Sequence, residues 1–253
     1  VKQSPGASNA ALALFAEDVN LVESPFEARG HESRVRTQAP ETKEVTMDSQ
    51  PANSDLSWES VETREDRRYG LFSVHILKNR SPRTGRVHEF QVLDSPDWVA
   101  VVAVTPSNDL VMVRQYRHGT GQLSLEPPGG LVKHGQSPEQ SGREELEEET
   151  GYQASELELL GWMHPMPAIF TNKFYVFLAR DATPSGRLNP DETEEIETVL
   201  VPTSQLNEYI KSGKITCAVM IAALHLYMEK KAETRAIGPN PGASRSQAPP
   251  GNA

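Results

Sequence analysis

The sequence predicts an α/β fold in which a mixed sheet carries helices on its faces. Strand-like runs fill residues 57–117 and return at 156–202, a sharply capped helix stands between them at 138–150, and two more helices follow. In chain order, SWESVETRED, YGLFSVHILKN and RVHEFQVLD, the last after the turn SPRTG, read as an antiparallel meander. WVAVVAVT and LVMVRQYR, joined by PSND, read as a buried hairpin, and the unbroken apolar run in the first implies that both of its faces are covered. ELELLGWMH, NKFYVFLARD and IETVLVP continue the strand pattern after the first helix. SQLNEYIKS, stopped by Gly213, and TCAVMIAALHLYMEKK, with lysines in its last turn, are the two closing helices.

Composition sets the limits. Of 253 residues only 37% are apolar, so part of the length is expected to lie outside any core. Residues 1–55, rich in Ser, Pro, Glu, Ala, Asn and Gln, read as a disordered arm, and the Gly/Pro/Ser-rich 236–253 as a disordered tail. Between them stand an N-terminal strand region, 56–96, and one larger domain, 97–235. A net charge of −10 argues against a nucleic-acid-binding or membrane-attracted surface, and repels an anionic substrate unless cations intervene. No apolar stretch approaches the roughly 20 residues that span a bilayer, and ALALF is too short for a signal-peptide core. The single cysteine, Cys217, precludes an internal disulfide and suits a reducing, cytoplasmic setting; its apolar neighbours mark it as a buried structural thiol.

The most informative segment is GGLVKHGQSPEQSGREELEEETGY, 129–152. Ser137 is a good N-cap, Pro138 suits the first helical position, and Gln140 completes a capping box. Gly151 is placed to end the helix in a left-handed conformation. On a 138–150 helix, Glu145, Glu148 and Glu149 share one face while Leu146 turns to the core. Like-charge pairs at this spacing cost only about 0.2–0.5 kcal/mol each, so a solvated acidic face is physically tolerable. Three carboxylates beside a glycine loop also make a hard-cation site suited to Mg2+.

This segment resembles the Nudix box, G-x5-E-x7-R-E-U-x-E-E-x-G-U with U apolar. Gly130, Glu145, Leu146, Glu148, Glu149 and Gly151 stand at the required spacings, with Tyr152 in the last position. The resemblance implies an α/β/α sandwich, a substrate built as a nucleoside diphosphate linked to another group, and Mg2+ or Mn2+ held by Glu145, Glu148 and Glu149, with the Gly129 carbonyl as a further ligand. Gln136 stands where the family has glutamate and Glu144 where it has arginine. Together they exchange an ion pair for a neutral-to-charged hydrogen bond, with Arg143 as a candidate for the missing cation.

VRQYR, LEPPGG, NPDETEEIE and Pro167 within HPMP are similar to segments of the ADP-ribose and nucleoside-diphosphate-sugar pyrophosphatases. The expected reaction is hydrolysis of the pyrophosphate linkage of such a nucleotide sugar. By that resemblance Glu192 or Glu194 in DETEE is the general base, acting with Glu145. Arg117 is a candidate phosphate clamp, because its fork binds two oxygens at once, or else a surface arginine. Glu126 is a metal-linked acid or a solvated turn residue. Trp58 or Phe90 stacks on adenine or packs in the core. His118, His134 and His164 lack the spacing of a transition-metal site. Enzymes of this kind share early strands between subunits, so a homodimer is expected. The competing reading is a catalytically silent domain that binds a nucleotide sugar as a sensor, motivated by Gln136 and Glu144.

Overall fold

The computed structural model describes residues 56–189 and 195–236. The expected arm, the tail beyond Ala236 and the acids Glu192 and Glu194 lie outside them.

Strands β1 (Glu59–Arg68), β2 (Ser73–Arg80) and β3 (Val87–Asp94) form the antiparallel meander, in the order β1-β2-β3. This small sheet is fastened to the rest by its last strand. The Leu93 N–H donates to the Ile169 carbonyl at 2.7 Å, the Thr171 N–H to the Leu93 carbonyl at 3.1 Å, and the Thr171 hydroxyl to Asp94 at 2.7 Å.

The main sheet contains β4 (Trp98–Val104), β5 (Asp109–Arg117), β6 (Gln122–Glu126), β7 (Gly129–Leu131), β9 (Leu157–Met163), β10 (Phe174–Ala179) and β12 (Ile196–Pro202). Its main path runs β12-β5-β4-β10-β9, with β6 beside β5 and β7 beside β4. Two-residue strands β8 (Tyr152–Gln153) and β11 (Thr183–Pro184) pair separately. The sheet is mixed because β10 runs parallel to β4 while the other pairings are antiparallel.

β4 explains the unbroken apolar run. Val99, Val101 and Ala103 pack on Leu146 of helix α1 (Pro138–Thr150), while Ala100, Val102 and Val104 face Met220, Ala223 and Leu224 of α3 (Ala218–Ala236). Leu206 of the short α2 (Leu206–Lys211) joins the α3 side. Helices therefore cover both faces, in an α/β/α sandwich. Burying each such Val or Leu side chain stabilises the fold by about 1.5–3 kcal/mol. α1 sits close to the sheet because Gly142 faces it: a Cβ there would lie 3.0 Å from Val99 Cγ2 and 3.1 Å from Val101 Cγ2.

Two expectations are corrected. β4 and β5 do begin as a hairpin, but they pair only at Ala103–Val111 and Val104–Leu110 before diverging. β5 then takes β6 and β4 takes β7, two strands that the prolines and glycines of LEPPGG conceal from a reading of apolar periodicity. α3 also runs five residues past Lys231, to Ala236.

Candidate functional site

Where β4 and β5 part, the sheet opens a cleft of about 870 Å³, lined by β6, β7, the carboxylate face of α1 and the start of α3. The geometry begins with the caps of α1. The Ser137 hydroxyl accepts from the Gln140 N–H at 3.2 Å, and the Gln140 side chain accepts from the Ser137 N–H at 2.9 Å. At the other end Gly151 adopts φ 69° and donates to the Glu147 carbonyl. With both ends fixed and Leu146 fully buried, Glu145, Glu148 and Glu149 are all delivered to the cleft.

Each carboxylate has its own setting. Glu149, 2% exposed, accepts from the Gly129 N–H at 2.8 Å, which ties α1 to β7. The Glu145 carboxyl lies against Gly130, where an added Cβ would come within 2.8 Å of its carboxyl carbon. That carboxyl is the free end of a flexible side chain and could swing aside; the stricter demand is at Gly129, where an added Cβ would meet the Val99 carbonyl oxygen at 2.2 Å in backbone that cannot yield. Glu148 accepts from Lys133 Nζ at 3.0 Å. Among the described residues, no three His, Cys, Asp or Glu side chains are grouped to hold a metal ion as they stand. The structure does bring Glu145, Glu148 and Glu149 to the wall of one cleft.

The Gln136–Glu144 exchange takes the form its chemistry suggests. Gln136 Nε2 donates to both Glu144 oxygens, at 2.9 and 3.1 Å, while its Oε1 accepts from the Ser141 hydroxyl at 2.7 Å. The Ser141 hydroxyl in turn accepts from the Lys133 N–H at 3.0 Å, so the loop is stitched to α1. Arg143 does not supply the missing cation: it donates to Glu139 and to the carbonyls of Ala154 and Ser155. Lys133 does, reaching Glu144 at 3.1 Å as well as Glu148. The Gln136 hydrogen bond, followed by that from Lys133, holds the Glu144 carboxyl below its ordinary value. Burial works against the Lys133 charge, but its bonds to Glu148 and Glu144 outweigh that and raise its pKa. Sequence reasoning misses Lys133; the signal for it is the glutamate in the arginine position of the box, which requires a cation from elsewhere.

Arg117, at the end of β5, is not an unengaged clamp. Its Nε and Nη2 donate to Glu126 at 3.2 and 2.7 Å, and Glu126 is buried to 1% exposure, so the solvated-turn alternative is excluded. Burial opposes the guanidinium charge, yet the Glu126 bonds and its attraction raise the Arg117 pKa overall. The arginine side chain remains 41% exposed on the cleft. Among the described residues, four carboxylates (Glu126, Glu145, Glu148 and Glu149) and two cations (Arg117 and Lys133) line the cleft, a formal charge of −2.

Other expected residues lie elsewhere. Trp58 and Phe90 make an edge-to-face contact at 5.3 Å, half exposed on the N-terminal sheet, and neither lines the cleft. Pro167 is exposed in the loop after β9 and does not line it either. The apolar wall is instead built by Leu71, Trp98, Leu123, Val219 and Met220, residues scattered too widely in sequence to be grouped without the fold. Cys217 packs against the core on the α3 side but is only partly buried, because it also reaches the cleft. The described chain stops at Asn189, whose N–H donates to the Glu148 carbonyl at 3.0 Å, and resumes at Glu195.

The family model for the NUDIX domain matches residues 95–219. The chain is 28% identical over 177 residues to a methanol dehydrogenase activator of Bacillus methanolicus, covering 63% of this chain and 96% of the relative. It is 29% identical over 149 residues to an ADP-ribose pyrophosphatase of Bacillus subtilis strain 168 (58% and 80%). It is 31% identical over 158 residues to a GDP-mannose pyrophosphatase of Escherichia coli O9:H4 strain HS (57% and 81%). A crystal structure of an ADP compounds hydrolase shares the fold, with a TM-score of 0.64 at 24% identity over 72% of this chain and all of the other.

Proposed function

The chain belongs to the Nudix hydrolase family, and from that premise we propose Mg2+-dependent hydrolysis of the pyrophosphate linkage of ADP-ribose or a similar nucleoside diphosphate sugar. Water adds to one phosphorus, the bridging P–O bond breaks, and the products are a nucleoside monophosphate and a sugar phosphate.

One observation carries this reading. A cleft of net charge −2 that is to accept a substrate bearing its own negative charge needs added cations, and its donors are the hard oxygens a divalent ion prefers. Glu145, Glu148, Glu149 and the Gly129 carbonyl would hold Mg2+, with Mn2+ as a substitute. All three carboxylates sit on one helix face over one cleft, which supports their sharing an ion. When bound, the ion neutralises phosphate charge and lowers the pKa of its water.

The chain's own residues do the rest. Arg117 offers its exposed edge to a phosphate oxygen while Glu126 fixes the plane of its fork. Trp98 and Leu123 give the substrate an apolar wall. The general base is Glu192 or Glu194, acting with Glu145; the Asn189 N–H bond to the Glu148 carbonyl ties the last described residue before them to α1. We also propose a homodimer in which Trp58 or Phe90 reaches the partner's adenine site, and a cytoplasmic setting in keeping with a lone thiol.

The test is a panel of nucleotide sugars assayed with Mg2+ for release of nucleoside monophosphate. ADP-ribose is expected to be cleaved. Binding without release from any member, with Mg2+ or Mn2+, would instead establish the second reading, a silent sensor domain. The Gln136 and Glu144 departures motivate that alternative, and one relative is named as an activator.

A further inference from the structure

Lys133 stands in an unusual position for a cation in a metal-binding cleft. Its Nζ lies 3.0 Å from Glu148 Oε2 and 3.1 Å from Glu144 Oε2, and its stem lines the same cleft as Glu145 and Glu149. It is not there by side-chain preference alone. Its backbone N–H is pinned to the Ser141 hydroxyl, which is pinned to Gln136, which is pinned to Glu144. The loop and α1 are thus cross-linked so that an ammonium is held on a carboxylate that would otherwise serve a divalent ion. A carboxylate oxygen that accepts from an ammonium at 3.0 Å is partly neutralised, and a dication approaching it meets a like charge within a few ångströms.

We propose that Lys133 is a resident counter-ion of Glu148 that competes with the divalent cation and so sets the metal affinity of the cleft. This rests on the assignment of Glu148 as a metal ligand. In chemical terms Lys133 does two jobs. It offsets the repulsion of a helix that carries five glutamates between 144 and 149. It also lowers the affinity for the bare ion, because binding must displace an ion-paired lysine. Lys133 is a positioning residue here: it acts on the metal through Glu148 and touches no reacting atom.

The experiment measures Mn2+ binding to the full chain without nucleotide, from the electron paramagnetic resonance signal of the free ion. Four proteins are compared: wild type, Lys133→Arg, Lys133→Met and Lys133→Glu. Competition predicts a graded series. Lys133→Arg stays near wild type, Lys133→Met binds Mn2+ about three- to tenfold more tightly, and Lys133→Glu more tightly still, as expected for removing and then reversing one charge near a dication. A merely structural lysine predicts the opposite, since loosening the loop weakens binding in both the Met and Glu variants. Equal or weaker Mn2+ binding in Lys133→Met and Lys133→Glu overturns the proposal. The half-exposed position makes folded variants the expected result, and Lys133→Met, which adds no oxygen ligand, decides the sign of the effect, with Lys133→Leu in its place if it is lost. Absence of Mn2+ binding in wild type would overturn the metal assignment and this inference together. Failure to cleave nucleotide sugars, with the graded series intact, would overturn the catalytic reading alone.

Discussion

Every residue of β1 is exposed, whereas six of the seven residues of β4 are buried. β4 has neighbours on both edges and helices on both faces, so its stability comes from apolar burial that the chain supplies to itself. β1 is an edge strand held by its ladder to β2 and by surface ion pairs such as Glu62–Lys78 and Glu59–Arg80, which contribute little in water. It also leaves Val61 and the Trp58–Phe90 pair facing solvent. A three-stranded sheet with such an edge is a surface for association, and a two-fold dimer is the commonest closed outcome. The main sheet is covered within one chain; in the proposed dimer the N-terminal sheet is covered by a second copy.

The same substitution in both sheets sharpens this contrast most. Val101→Asp puts a carboxylate between β4 and α1 and is expected to cost about 3–5 kcal/mol, leaving little folded protein. Val61→Asp, at a half-exposed position, is expected to fold with a nearly unchanged urea midpoint and to shift the protein to monomer in light scattering. Equal losses of stability in the two variants would erase the distinction.

Truncation breaks the comparison in a different way. Removing residues 1–55 is expected to leave dimer and turnover intact. Removing residues through Asp94 deletes the small sheet and its bonds to Ile169 and Thr171, and is expected to abolish both. An active monomer from the longer deletion would rule out a shared site.

A smaller effect is expected where the loop meets α1. Gln136→Glu discards two hydrogen bonds to Glu144 and faces acid with acid, a loss of about 1–2 kcal/mol. Adding Glu144→Arg should recover stability and activity, with a coupling above about 0.5 kcal/mol in the double-mutant cycle. Additive effects would show the two positions to be independent.

The smallest effect is in the pH dependence. The Glu144 carboxyl is held below its ordinary 4.5, so its stabilising ties are fully present above that value and are lost as pH falls through the lower folded one. Glu144→Gln mimics the protonated form. Its melting temperature is expected to fall short of wild type near neutrality, with the gap closing in acid. A constant gap from neutrality to acid would show that charge is not the source.

Much of this is legible in the sequence, for local reasons. The caps of α1 are set by short-range chemistry at Ser137, Gln140 and Gly151, and the helix begins and ends where those residues place it. β4 announces its two covered faces in an unbroken apolar run. β6 and β7 are hidden because their pairing is imposed by neighbours, against the local preference of Pro127, Pro128 and the two glycines. Lys133 is hidden for a related reason. Its partners lie 11 and 15 residues away, and only the loop's stitching through Ser141 brings the ammonium to them. Arg143, adjacent in sequence to the position in need of a cation, points instead to the carbonyls of Ala154 and Ser155.

The α1 carboxylates are proposed to drive metal-dependent cleavage of a nucleotide sugar. The most direct test is the turnover of ADP-ribose in Mg2+ by wild type, Glu148→Gln and Glu149→Gln, followed by phosphorus NMR, with melting curves as the control for folding. Each exchange removes a metal-directed charge at constant volume, so turnover is expected to fall by more than about a hundredfold while the fold persists. Near-wild-type turnover in both variants would contradict the assignment of this face as the metal site.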